Sequence, residues 1–263
     1  MELTAEQILE NWSTLLGYIT DYIEEPRQTK LLELYNKYSE RLMFMPAAHK
    51  KEYHNAMPGG YVDHVIRVIE CSIDQHEIWE KHGVDTSTYT FEELIFSALN
   101  HDLGKMGDDE HESYIPQTDN WRKEKLGEDY MFNEKLAFAS VPDRGLFLLQ
   151  SHGIQYSFNE MITIQTHDGL YDEANKKYLL TYLPGQKART ALPSIVHQGD
   201  FMAARIEWER EWLDKLKQGN PKPNFKLAST KIPAPNNSKK DAIRNKALGS
   251  IKSDSLKNLL DNL

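Results

Sequence analysis

The chain has 263 residues, 40 % of them apolar, which is enough to bury a sizeable core in one elaborated domain or two small ones. Its formal charge of −9 excludes a general nucleic-acid coat protein, because nonspecific binding to a polyanion draws on Lys and Arg, but leaves room for a nuclease with a locally positive cleft. That charge is uneven: residues 212 to 263 hold eleven basic and four acidic side chains, leaving about −16 on the rest, so tail and body are expected to attract each other within a chain or between subunits. The single cysteine, Cys71, cannot form an internal disulfide and reads as a core thiol. No segment approaches about eighteen uninterrupted apolar residues and no signal-like start is present, so a cytoplasmic protein without a membrane partner is expected. Leucine, glutamate, lysine and alanine recur without strand alternation, which favours an all-α fold.

In chain order, Thr4 and Gln7 form a capping box before Ile8, Leu9, Trp12, Leu15, Leu16 and Ile19, and Pro26 suits the first turn of a second helix running through Leu31, Leu34, Tyr35, Tyr38 and Leu42. These two helices read as scaffold. After Gly59 and Gly60 a long helix is expected from Tyr61 through Trp79 toward Gly83, with Val62, Val65, Ile66, Ile69 and Ile73 as its core stripe and His64 at the stripe's edge. Thr90 and Glu93 cap a helix that delivers His101 and Asp102 in its last turn, with Gly104 ending it.

Residues 106 to 140 read as a loop or short-helix insertion rimming the site. A helix from Pro142 to Gln150 stops by Gly153, and another, capped by Ser157 and Glu160, reaches His167, Asp168 and Gly169. His101, His152 and His167 thus all fall near helix ends. Residues 171 to 190 read as a loop with a short extended pair around Tyr178 to Leu183, and a long helix from Ala191 to about Leu216 carries Asp200 in its interior. An unpaired carboxylate there would be costly, and a metal or an arginine would resolve the cost. Gly219 to Lys240 reads as a linker, and Ser253 as the cap of a short final helix.

The residue types at His64, His101, Asp102, His152, His167 and Asp200 suit divalent Mn, Fe, Co, Ni or Zn, with Mg a further candidate. Four imidazoles and two carboxylates exceed what one tetrahedral ion needs, so one or two ions are expected, a shared carboxylate bridging them in the second case. Lys105 beside them is placed to contact a nonbridging phosphate oxygen, and Asp168 to hold a water, carry a proton or orient His167. For Lys105 a helix-end cation is the bland alternative.

His64 in Tyr61-Val62-Asp63-His64-Val65, His101-Asp102 followed by Leu103-Gly104-Lys105, and Asp200 in His197-Gln198-Gly199-Asp200 resemble the ligand pattern of the HD-domain metal-dependent phosphohydrolase superfamily. His152 and Thr166-His167-Asp168-Gly169 resemble the two extra histidine positions of members with two metals, some of which have His-His-Gly where this chain has His167-Asp168-Gly169. The resemblance covers roughly residues 55 to 210 and implies an HD-domain helical bundle there; along the chain, 1–54 is expected to be an N-terminal helical scaffold, 55–218 the catalytic domain and 219–263 a basic linker and short C-terminal helix. It further implies that His64, His101, Asp102 and Asp200 hold the first ion, and that Asp102 bridges to a second held by His152 and His167.

The expected activity is hydrolysis of a nucleotide or related small phosphate ester by metal-activated water. A 3′-5′ exonuclease or other phosphodiesterase acting on short oligonucleotides or cyclic nucleotides is the alternative, as is a noncatalytic metal-containing regulatory module. Arg122, Lys123, Lys125 and Arg144 are candidate rim cations, and Tyr114, Trp121, Tyr130 and Phe132 candidate base-stacking rings. A homo-oligomeric partner stays open.

Overall fold

Helix-start chemistry sets most of the element boundaries. The computed structural model describes residues 3–51 and 53–217. Thr4 caps α1 (Ala5–Tyr22) through the expected reciprocal bonds with Gln7. Helix α2 (Arg27–Lys37) follows Pro26, but the backbone leaves helical geometry at Tyr38 (φ −109°, ψ 20°), so Leu42 belongs to a separate α3 (Ser39–Phe44). Gly59, left-handed at φ 81°, starts α4 (Gly60–Lys81), and the Thr90–Glu93 box starts α5 (Phe91–Asn100).

Between α5 and the next long helix the chain forms an antiparallel hairpin, β1 (Tyr114–Pro116) against β2 (Tyr130–Phe132), enclosing α6 (Asn120–Leu126). Strands of three residues are too short to show alternation in sequence, which is why the insertion reads as loop. Helices α7 (Val141–Ser151), α8 (Phe158–Thr166), α9 (Lys176–Leu179) and α10 (Leu192–Lys217) complete the described residues, which contain ten α-helices and are mostly helical. The extended pair expected at Tyr178 to Leu183 does not form; α9 ends at Leu179 and the chain is irregular from Leu180 to Leu183. Leu180, Tyr182 and Leu183 are exposed, Tyr182 entirely, so beyond α9 there is no buried face for a strand to cover. The linker and the helix expected from Ser253 lie outside the described residues. No helix among the described residues is long and apolar enough to cross a membrane.

The core is one contiguous cluster within the compact unit Met1–Asn220. Helix α4 runs through it with α10, α5, α1 and α3 against it. Leu15 and Ile19 of α1, Leu31 and Leu34 of α2, Val65, Val68 and Ile69 of α4, and Ile195 and Val196 of α10 are at most 1 % exposed. Cys71 is buried among them. Each such aliphatic side chain contributes on the order of 1.5–3 kcal/mol relative to exposure.

A polar clamp aligns α5 with α8. Arg27 donates to both oxygens of Glu160 at 2.7 and 2.9 Å and to Glu92 at 3.2 Å, and its guanidinium lies 4.2 Å from the centre of the Phe96 ring. Glu93, which caps α5, also accepts from Ser157 and Asn159 at the start of α8. The two helices, ten and nine residues long, therefore start in contact and finish level. Burial raises the Glu160 carboxyl above the usual range, and Arg27 opposes that rise. Arg27→Ala leaves Glu160 buried without its cation and is expected to lower unfolding free energy by about 3–5 kcal/mol, read as a fall in the urea midpoint with an unchanged slope.

Candidate metal centre

The C-terminal ends of α5 and α8 each present a histidine in the same way. His101 and His167 keep helical backbone angles, and each donates its Nδ1 hydrogen to the carbonyl three residues back, Ala98 and Ile164, at 2.7 Å. That bond fixes the tautomer and turns Nε2 away from the helix. The two rings meet edge to face with centroids 5.0 Å apart.

Asp102 follows in a 3-10 turn over Leu103–Met106, with φ −105° and ψ 10°. Consecutive side chains on a regular helix diverge by about 100°. Leaving the helix at Asp102 removes that constraint, so its carboxylate turns to the same point as His101. Gly104 in this turn is required by closeness, since a Cβ there would lie 2.0 Å from the Val141 carbonyl oxygen of α7.

His64 on α4 and Asp200 on α10 complete the set. His64 Nε2 stands 3.3 Å from Asp200 Oδ1 and 3.7 Å from Asp102 Oδ2, and His101 Nε2 stands 3.9 and 3.3 Å from the same atoms. Ligands about 2.1 Å from a common ion stand about 3.0–3.4 Å apart, so these four atoms form a slightly open cage. The Nε2 atoms of His64 and His101 are buried and have no hydrogen-bond partner. Buried imidazole nitrogens without partners, converging with two carboxylates, fit a divalent ion.

His167 faces the other oxygen of the bridge, with Nε2 3.5 Å from Asp102 Oδ1, and Asp168 Oδ1 lies 3.7 Å from that nitrogen. Lys105 Nζ binds Asp102 Oδ2 at 2.5 Å. Burial would raise the Asp102 carboxyl, but Lys105 and His101 hold it well below the usual range, and Asp200 is lowered against burial by His64. Burial works against charging His64 and His167 too; Glu207 and Asp200 nevertheless push His64 up to about 10, and Asp102 with Asp168 pushes His167 up to about 9.

His152 is not in this cluster. Its Nδ1 is 3.0 Å from the Leu148 carbonyl oxygen, its Nε2 3.4 Å from Lys37 Nζ, and its ring is edge-on to Tyr38. The cause is α7: its first turns pack on Gly104, which puts His152, seven residues beyond Gly145, about 10 Å further along the helix.

Three participants were not expected. Glu207 accepts from His64 Nδ1 at 3.1 Å and is itself held by Arg67 Nε at 3.1 Å. Its place two helical turns after Asp200 on α10 is a spacing visible in sequence. His54 lies against His64 with ring centroids 4.5 Å apart, its Nε2 buried without a partner, and burial lowers it to about 3, so it is neutral. His197 donates Nδ1–H to the His167 carbonyl at 2.9 Å. Its ring fills the space beside Gly169, where a Cβ would meet Cε1 at 1.8 Å, and Gly169 is also left-handed at φ 58°.

The donors open into a cleft of about 530 Å³ lined by His49, His54, Lys105, Tyr114, Phe132, Asp168, Tyr171, His197, Asp200, Phe201, Arg205 and Trp208 among others. A second cavity of about 590 Å³, bounded by Lys37, Arg41, Glu112 and Tyr130, includes none of the metal donors. Of the candidate rim cations, Arg122 pairs with Glu128 and Arg144 donates to the Ala137 carbonyl, and the cleft's lining includes none of the four. Tyr114 and Phe132 line the cleft, whereas Tyr130 lines the other cavity and Trp121 is exposed outside both. The acidic run at 108 to 112 is engaged by Lys37, Tyr38 and Arg41 instead of facing the donors.

Comparison with protein families, curated proteins and solved structures finds no match.

Three outcomes follow from this geometry. Glu207→Ala, which frees the His64 ring, is expected to weaken binding of Mn or Zn by about 10- to 100-fold in titration calorimetry. His64 and His167 are protonated in the metal-free protein up to about 9–10, so a bound ion must displace protons. Apparent metal affinity should therefore rise steadily from pH 6 to 8, with proton release measured in buffers of differing ionisation heat. In the metal-free protein the same pairing stabilises the fold fully below about pH 6.5 and is lost as pH rises through 9 to 10.

Proposed function

We propose that this chain is a metal-dependent phosphohydrolase of the HD type, acting on a nucleotide or related small phosphate ester. The observation that carries the reading is the pair of buried, unpartnered Nε2 atoms on His64 and His101, converging with Asp102 and Asp200 at the floor of an open cleft. His64, His101, Asp102 and Asp200 would hold one ion. Bound there, a divalent ion supplies Lewis-acid activation of water and neutralises phosphoryl charge.

The chain's own groups do the rest. Lys105 lines the cleft and, once a cation relieves it at Asp102, is free to contact a phosphate oxygen. Asp168, 51 % exposed at the cleft, is placed to accept a proton from water or to return one to the leaving group. The two oxygens of Asp102 face His101 and His167 separately, as a bridging carboxylate requires. Without His152, however, a second ion would have only His167 as a histidine of its own. One firmly held ion is thus the better-supported stoichiometry, with His167 facing the substrate side.

A purely structural ion is disfavoured, because structural sites are closed and this donor set opens to solvent through Asp168, Asp200 and Lys105. The test is release of phosphate or nucleotide from a panel of phosphomonoesters and diesters with Mn, Co, Ni, Zn or Mg. Asp102→Ala is expected to lower turnover by at least about 10³-fold while far-ultraviolet circular dichroism stays helical. His152→Ala should leave metal stoichiometry and turnover unchanged. Metal binding without hydrolysis across the panel would favour a regulatory module.

A further inference from the structure

The metal cleft holds Lys105 and Arg205 together with Asp168 and Asp200, and the cavity at Lys37 and Arg41 includes Glu40 and Glu112. In both, cations and carboxylates share one lining. A third cavity, of about 470 Å³ between the start of α8 and residues 177 to 190, is different. Lys177, Lys187 and Arg189 border it, and no Asp or Glu does. Lys187 and Arg189 make no ion pair or hydrogen bond among the described residues, whereas the neighbouring Lys176 is held by Glu173 at 2.6 Å. Their donors are therefore open to a ligand.

The rest of the lining supplies apolar surface. Phe158 and Ile162, one turn apart on α8, share a face of that helix; Ile162 is buried, but Phe158 is 73 % exposed. Tyr178 adds a half-buried ring, with Lys177 Nζ 5.1 Å from its centre. A few convergent polar groups on an apolar wall, in a volume between about 300 and 1,000 Å³, are the ordinary make-up of a small-molecule site. The chain as a whole carries −9, which repels anions, but charges more than about 8–10 Å away are largely screened at physiological salt. The three local cations thus set the sign of the ligand.

We propose that this cavity is a second ligand site, separate from the metal centre, which takes a small organic dianion: its charged groups meet Lys177, Lys187 and Arg189, and its apolar part rests on Phe158 and Ile162. The site shares no lining residue with the metal cleft. Phe158 and His167 stand nine residues apart at opposite ends of α8, about 13.5 Å along its axis. The inference goes beyond the hydrolase reading and depends on neither turnover nor a bound ion.

The experiment is calorimetric titration of the full-length, metal-loaded chain with naphthalene disulfonate, with naphthol and with sulfate, which separate the combined ligand from its apolar and anionic parts. The disulfonate is expected to bind at least about tenfold more tightly than either part. Lys187→Ala/Arg189→Ala should weaken it by at least about tenfold, and Phe158→Ala should bring it close to sulfate. Lys125→Ala/Lys135→Ala, which removes the same charge from exposed positions elsewhere, should leave it unchanged. Equal affinity of the native chain for the disulfonate and naphthol would overturn the site. So would the same loss in both double variants, or no loss in Lys187→Ala/Arg189→Ala.

Discussion

Two carboxylates, Asp102 and Asp200, stand in the interior of a helical protein facing imidazole nitrogens that have no hydrogen-bond partner. Enclosing that much polarity costs several kcal/mol per group unless a cation gathers it. Without metal, the protein meets the cost with Lys105 on Asp102 and with protons on His64 and His167. All of these are charges that a divalent ion would displace or redirect. The same groups therefore stabilise the metal-free protein and compete with the ion.

The precision of the cluster comes from ordinary helix chemistry used twice. The clamp of Arg27, Glu92, Glu93 and Glu160 sets the starts of α5 and α8 side by side, and their similar lengths bring His101 and His167 out at the same depth. At each end the imidazole is held by the carbonyl one turn back. His64 lies near the start of α4, away from the free carbonyls of its C-terminal end, and Glu207, steadied by Arg67, takes that part. Every imidazole facing the ion site is thus oriented by a neighbour that holds its other nitrogen, an arrangement that raises ligand basicity.

Glycine has a separate role in the two motifs. Gly104 lets the turn after Asp102 lie against the backbone of α7, and Gly169 admits the His197 ring beside the His167 turn. In both places the small residue follows the ligand pair because another element occupies the volume of its side chain. That accounts for the glycine in His101-Asp102-Leu103-Gly104 better than flexibility does.

The capping boxes at Thr4, Thr90 and Ser157, the helical periodicity of α4 and α10, and the placement of His101 and His167 at helix ends were legible in the sequence, because each depends on residues within a few positions of one another. So was the candidacy of His64, His101, Asp102, His167 and Asp200, whose residue types suit a metal wherever they meet. Which histidines meet was a tertiary decision. His152 has the same local setting as His167, a helix end followed by glycine, yet α7 packs its opposite end toward the centre and leaves His152 beside α2. Conversely His54, His197 and Glu207 lack a distinguishing local signal apart from the two-turn spacing of Glu207, and only the packing of α10 on α4 and on α8 brings Glu207 to His64 and His197 to His167. Short-range hydrogen bonding is written in adjacent residues. The side of a helix that faces a distant partner is decided by how whole apolar faces exclude water together.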